Sequence, residues 1–147
     1  MSKSNSFENS LLLLLFNNTD IANIGDAAGL QNSAVAGSLY LALHTGDPGE
    51  AGDQTTNECA YTSYDRVAVA RSGAGWTVAG NSVSNAALAQ FPECTGGSET
   101  ITYVSIGTSA YPTAGVILYS GALTASRSVS SGIQPQFAIG ALIVTED

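Results

Sequence analysis

The sequence predicts an all-β fold: a sandwich or jelly-roll-like domain of about eight short strands, preceded by a short N-terminal helical arm. Apolar residues alternate with a period of two in several short segments after residue 38. Turn residues separate these segments, and apolar residues at helical spacing occur only near the start. The length of 147 residues suits one hydrophobic core. We therefore predict an N-terminal helical arm and connector over residues 1–37 and a β-sandwich domain over residues 38–147.

The first element is the N-terminal helix. Asn5 is predicted to cap it, with Glu8 reaching back in a capping-box arrangement. One face of this helix is expected to carry Phe7, Leu11, Leu14 and Leu15. A three-turn helix with apolar residues on nearly every side needs a partner, so it should dock on its own β core or on another subunit. Asp20 is expected to cap a second short turn that runs through Ile24.

The next elements are strands over residues 39–44, 64–71, 76–78 and 83–91. The first shows strict alternation of Leu39, Leu41 and Leu43 with Tyr, Ala and His. Proline and glycine at 46–49 end it, because proline cannot extend a central strand. Gly73 and Gly75 close the second strand, and Gly80-Asn81 turns the third into the fourth.

The remaining strands are predicted over residues 101–106, 116–119, 122–124 and 137–144. The strand at 101–106 is apolar on both faces, which is typical of the centre of a sandwich. Ser120-Gly121 is predicted to form a turn between the strands at 116–119 and 122–124. Residues 126–129 are predicted as a continuation of the strand at 122–124. Gly140 is expected to be a bulge within the last strand.

Charge and composition exclude some classes of partner. The chain has a net charge of -8, from 12 acidic residues against four basic ones. Nucleic acid is not an expected partner, because phosphate-binding surfaces need clustered cations. Only 11% of residues are charged, against about 25% in ordinary proteins, so protein partners are expected to cover much of the surface.

The apolar run at 11–16 is far shorter than the roughly 20 residues needed to cross a bilayer, so no membrane contact is predicted. Glu8 and Asn9 interrupt the approach to this run, and no small-residue cleavage site follows it. We therefore expect synthesis in the cytoplasm without a secretory signal. Cys59 and Cys94 fit no metal spacing and are expected to be buried thiols, with a single later disulfide as the alternative.

The sequence offers little for catalysis, and we expect no enzyme and no cofactor. His44 is the only histidine, so a hydrolytic triad would have to combine it with Asp47 and an unidentified serine. No Gly-x-Ser-x-Gly nucleophile elbow occurs. Asp47, Glu50 and Asp53 lie in a glycine-rich loop, but they lack the pattern of an EF-hand, and a solvated acidic loop is the preferred interpretation over a calcium site.

Arginine residues are the best interface candidates in a chain so poor in cations. Arg66 and Arg71 could bind carboxylates on a partner through their bidentate guanidinium groups. An acidic partner within the chain explains them equally well. Aromatic residues could form a binding face, although single aromatics in strands more often pack in the core. These aromatics are Tyr61, Tyr64, Trp76, Tyr103, Tyr111 and Tyr119.

Several segments together resemble a family of small virion proteins from tailed bacteriophages that are labelled tail fibre or head decoration (cement) proteins. The segments run in order along almost the whole chain, and they are residues 2–10, 39–52, Tyr64-Asp-Arg-Val-Ala-Val-Ala-Arg71, 75–84, Phe91-Pro-Glu-Cys-Thr-Gly-Gly97 and 118–124. The resemblance implies a virion structural protein. It carries no catalytic motif to this chain.

Within that resemblance, capsid decoration is the preferred hypothesis and a tail or tail-fibre component in host attachment is the alternative. A fibre shaft normally shows heptads or repeats, and this chain has neither. The expected partners are the major capsid protein and further copies of the chain, as a dimer or trimer, at the head surface rather than the tail. The predicted interface residues are Phe7, Leu11, Leu14, Leu15, Phe16, Arg66 and Arg71.

Overall fold

A computed structural model describes the chain from residue 1 to residue 147. It contains one helix, α1 (Asn5–Asn17), and nine strands in three sheets. The all-β class with a single N-terminal helix is thereby confirmed. The strands are β1 (Ser38–His44), β2 (Val67–Ala70), β3 (Trp76–Ala79), β4 (Ser82–Asn85), β5 (Ala89–Gln90), β6 (Ser98–Gly107), β7 (Ile117–Ser130), β8 (Gln136–Phe137) and β9 (Ile143–Thr145).

The chain folds as two compact units. The first comprises Met1–Ser38, Val69–Leu88 and Phe137–Asp147, and the second comprises Leu39–Ala68 and Ala89–Gln136. Both units are therefore assembled from segments that are distant in the sequence. The predicted division into residues 1–37 and 38–147 stays a prediction.

The first unit is built on the antiparallel sheet β3-β4-β9, with α1 packed on β3 and β4. Burial alternates along these strands: Trp76 and Val83 are buried, whereas Thr77 is exposed. The ring of Phe16 meets that of Trp76 edge to face, with centroids 4.8 Å apart. The helix thus covers one face of the sheet, and its partner is its own chain.

The buried face of α1 differs from the predicted one. Its buried residues are Glu8, Leu12 and Phe16, at positions i, i+4 and i+8, while Leu11 is only half-buried. Leucines lie on nearly every side of this helix, so apolar spacing alone does not select one stripe. The predicted cap is also wrong: the N-cap is Ser4, whose hydroxyl accepts a hydrogen bond from the Phe7 amide.

The second unit is organised around β1, β6 and β7, three neighbouring strands of the sheet with the order β2-β1-β6-β7. Strands β1 and β6 pair antiparallel, with Leu41 opposite Ile106. Strands β6 and β7 also pair antiparallel, which leaves β7 at an edge of the sheet. The central strands are the most buried, because β1 has neighbours on both sides and carries four consecutive buried residues at its end.

Three sequence-based element predictions need correction. Ser120 and Gly121 form no turn, since they lie within β7 opposite Ser105 and Val104. Gly140 has a positive φ of 74° and lies in a turn that separates β8 from β9. Asp20 caps no helical turn; its carboxylate instead accepts a hydrogen bond from the Asn32 amide, beside an isolated bridge between residues 21 and 30.

Candidate binding surface

Arg66, one of the predicted interface residues, is used inside the second unit. Its guanidinium binds the Glu58 carboxylate in a bidentate pair, with distances of 2.6 Å from Nε and 2.8 Å from Nη2. The two side chains are 0% and 5% exposed. The other nitrogen, Nη1, donates to the carbonyls of Ser109 and Thr113, 2.8 and 2.7 Å away. Arg66 therefore ties the loop between β6 and β7 to the body of its unit.

The surroundings of this pair explain its charge states. Burial by itself would lower the pKa of Arg66, but hydrogen bonding to Glu58 and the negative charge of that carboxylate raise it. The same carboxylate accepts a hydrogen bond from the Tyr64 hydroxyl, and burial raises the pKa of Tyr64. A buried ion pair of this kind is stable only when its remaining hydrogen-bonding groups are satisfied. In the structure, Arg66 is therefore paired with an acidic residue of its own chain.

Arg71, the second predicted arginine, binds the C-terminal end of α1. Its Nε donates to the Leu15 carbonyl and its Nη2 to the Leu14 carbonyl, both at 2.7 Å. Nη1 reaches the Ala36 carbonyl at 3.1 Å. The last carbonyls of a helix lack intrahelical partners and carry partial negative charge, so a guanidinium there stabilises the helix end. Arg71 is the clamp that holds α1 within the first unit.

The predicted helical interface residues have mixed positions. Phe16 is fully buried, while Leu11, Leu14 and Leu15 are half-buried. Phe7 alone is exposed, with 37% of its surface accessible. An interface role for these residues stays a prediction, and Phe7 is the member most accessible to a partner.

His44 lies at the end of β1 and is 0% exposed. Its Nδ1 is 2.9 Å from the Thr56 carbonyl, which can only accept, so Nδ1 carries the proton. Nε2 therefore accepts from the Ser105 hydroxyl at 2.8 Å. Burial lowers the pKa of His44. A serine and a histidine do meet here, but Ser105 is 1% exposed and the second ring nitrogen faces a backbone carbonyl instead of a carboxylate.

The acidic loop carries its own hydrogen bonds. The Asp47 carboxylate accepts from the Gly49 amide at 2.8 Å, and the Asp53 carboxylate accepts from the Thr55 amide at 2.8 Å. No group of three or more His, Cys, Asp or Glu side chains is placed to hold a metal ion.

Cys59 and Cys94 are both buried free thiols, and burial raises the pKa of Cys59 to about 12.

Aromatic residues make only a small contribution to the surface. Tyr61, Tyr64 and Trp76 are buried. The Tyr64 ring lies 5.3 Å from both the Tyr61 and Tyr111 rings, in edge-to-face arrangements. Tyr111 is 38% exposed and has the Arg66 guanidinium 5.9 Å from its ring centre. This cluster serves the core of the second unit.

Strand β7 provides the largest continuous exposed element. Of its 14 residues, only Val129 is buried, and residues 120–122 and 124–128 are all exposed. Leu123 to Ser126 have no residue of β6 opposite them, because the register shifts between Ile101 and Tyr103. We refer to the stretch from Ser120 to Ser128 as the β7 surface.

Arg127 is the charged residue of this surface, and it is not among the predicted interface residues. It is exposed and forms no salt bridge, whereas Arg66 is paired with Glu58 and Arg71 binds backbone carbonyls. Residues 100–145 contain no acidic residue, and Arg127 is their only charge. That distribution was visible in the sequence and is the signal that could have identified the β7 surface, since interface cores are depleted in charge and enriched in arginine.

The fold and this surface define a small all-β protein with a long, nearly uncharged strand open to other molecules. A model of the family described as podophage GP4 fiber I protein gp80 matches residues 2–145, and the chain belongs to that family. It is therefore a structural protein of a bacteriophage virion, which confirms the coarser part of the predicted resemblance. No curated protein matches the chain. No helix is long and apolar enough to cross a membrane.

Proposed function

We propose that the chain is a non-catalytic subunit of a phage fibre and that it acts through protein–protein contacts. The observation that carries this proposal is the β7 surface, a 14-residue strand at a sheet edge with a single charge. Edge strands of this length expose unpaired backbone groups that bind other chains. The family description, which names a fibre, supports the location.

The environment of His44 supports the non-catalytic part of the proposal. A general base must reach the proton that it abstracts from a substrate. His44 is fully buried, its two nitrogens are engaged by Thr56 and Ser105, and burial favours its neutral form. The arrangement serves to satisfy a polar group inside a β core.

Capsid decoration is the second candidate, with the major capsid protein and further copies of the chain as partners. The absence of heptads and repeats from the sequence favours it, because a subunit without a shaft is suited to a lattice site. The N-terminal helix gives it little support, since α1 packs on β3 and β4 of its own unit. An exposed Phe7 is the part of the arm that could still reach a capsid subunit.

Virions that lack the chain distinguish the two candidates. Phage produced without the gene would be compared by cryo-electron microscopy with phage complemented by the wild-type chain. Under the fibre proposal the deletion removes density outside the icosahedral shell and slows adsorption to host cells, while the heat resistance of the heads is unchanged. Loss of density spread over the shell, together with heads that open at lower temperature, would instead establish decoration.

A further inference from the structure

We propose that two copies of the chain associate through their β7 surfaces, which pair antiparallel across a two-fold axis. The proposal goes beyond the virion location, because it names the surface and the partner whether the dimer sits on a fibre or on a head. It depends on three features of β7: its position at an edge, its exposure and its charge.

The position of β7 leaves one side of its backbone open. In the order β2-β1-β6-β7 this strand has β6 on one side and no strand on the other. Its ends lie opposite the ends of the ten-residue β6, so at about 3.3 Å per residue this edge is roughly 30 Å long. Proteins usually protect such edges with short strands, bulges, lysine or proline; β7 is long and contains no lysine or proline, although it has a bulge at residues 123–126.

The bulge in β7 adds backbone groups that β6 does not use. Leu123, Thr124, Ala125 and Ser126 have no residue of β6 opposite them. Thr124, Ala125 and Ser126 are exposed, and they lie in the part of β7 that has no partner in β6. A second strand along this edge would give these groups protein partners.

Charge favours a second copy as the occupant. Two copies that each carry a net charge of -8 repel each other over most of their surface. The stretch from residue 100 to residue 145 has no acidic residue, and β7 lies in the middle of it. Two copies can therefore meet along β7 without opposing carboxylates, whereas a strongly basic partner would find nothing to bind there.

Symmetry supplies the matching hydrogen bonds. When one strand edge is rotated by a two-fold axis onto itself, an antiparallel pair results in which donors and acceptors alternate in register. The Arg127 side chains need not oppose each other, since an axis at Thr124 places each of them opposite Gly121 of the other copy. The interface is thus self-complementary in both hydrogen bonding and charge.

Sedimentation of the purified full chain is the first test, with one variant that blocks the edge and one control. We expect the wild type to be a dimer. Ala125→Lys places two lysines at the interface of each dimer and should weaken association at least about 10-fold. Ala51→Lys adds the same charge at an exposed loop residue and should leave the dimer intact. Circular dichroism checks that both variants fold.

Cysteine scanning then locates the axis. Single cysteines at Ser120, Ala122, Thr124, Ser126 and Ser128 would be oxidised under native conditions, and Cys59 and Cys94 are buried. Residues opposite each other in an antiparallel pair have Cα atoms about 4.5–5.5 Å apart, within disulfide range. Cross-linking should peak at the position nearest the axis and fall on both sides. A monomeric wild type, or a dimer that none of the five cysteines cross-links, would overturn the proposal without affecting the assignment to the virion.

Discussion

At the scale of single residues, two of the few charged side chains form hydrogen bonds inside the fold instead of at the surface. Arg66 and Arg71 were selected because cations are scarce, yet both bind carbonyls or a carboxylate of their own unit. Their residue type indicated strong hydrogen bonding, but it contained no information on whether the acceptor lies in the same chain. The scarcity of charge is explained in part by these internal roles.

The bidentate geometry of Arg66 leads to a test by conservative substitution. Arg66→Lys keeps the positive charge but cannot span both Glu58 oxygens and the Ser109 and Thr113 carbonyls. We expect a loss of about 2–4 kcal/mol in the free energy of unfolding, measured by urea denaturation. Arg127→Lys, at an exposed residue without a salt bridge, is the matched control and should change stability by less than about 0.5 kcal/mol. Equal effects of the two substitutions would contradict the proposed role of Arg66.

At the scale of elements, α1 shows where pattern reasoning works and where it fails. The existence of the helix follows from local capping and propensity, which the sequence contains. Its buried face does not, because six consecutive apolar residues at 11–16 leave the choice to tertiary packing against Trp76. The length of β7 was missed for a related reason: Ser120-Gly121 is typical of a turn, but pairing with β6 overrides that local preference.

The packing of α1 predicts how the first unit responds to a cavity. Phe16→Ala removes a fully buried ring that contacts Trp76, and we expect a loss of about 3–5 kcal/mol. Trp76 is the only tryptophan, so its fluorescence reports on this unit directly. Phe7→Ala, on the exposed side of the same helix, should have a small effect on stability and tests any role in virion incorporation separately. If Phe16→Ala left the fluorescence and its unfolding midpoint unchanged, the docking of α1 on β3 would be wrong.

This packing also changes what a deletion of the N-terminal arm can show. Removing residues 1–24 would test whether the N-terminal arm binds a capsid subunit only if a folded β domain remained. In the structure the deletion strips Leu12 and Phe16 from the sheet of the first unit and exposes Trp76. Lost incorporation would then reflect unfolding as well as a missing contact, so point substitutions such as Phe7→Ala are the better experiment.

At the scale of the whole molecule, the strand-rich class and the family could be predicted, but the arrangement could not. Alternating apolar residues and turn chemistry are local signals, and they located most strands to within a few residues. Units assembled from separated segments depend on long-range pairing, such as that of Val83 with Val144, which no local pattern encodes. The β7 surface could be predicted only in part. The absence of acidic residues over 100–145 is visible in the sequence, but the exposure of β7 depends on the folded structure.

The single histidine allows a prediction of how the free energy of unfolding of the whole molecule changes at acidic pH. Burial lowers the pKa of His44 below its ordinary value of 6.5, so the unfolded chain binds a proton more readily than the folded one. The contribution of His44 to stability is therefore fully present above about pH 6.5 and is lost as the pH falls toward the lowered value. We expect the free energy of unfolding to drop by up to about 1.4 kcal/mol per pH unit in that window from this group.

Urea denaturation of the wild type and His44→Gln, between about pH 7.5 and pH 5.5, measures this effect. Glutamine can still hydrogen-bond to the Thr56 carbonyl and the Ser105 hydroxyl, but it takes up no proton. The carboxylates titrate alike in both proteins, so the difference between the two pH profiles isolates His44. The wild type should lose more stability than the variant as the pH falls. Parallel profiles would mean that His44 is protonated equally in the folded and unfolded chains, and would contradict a pKa lowered by burial.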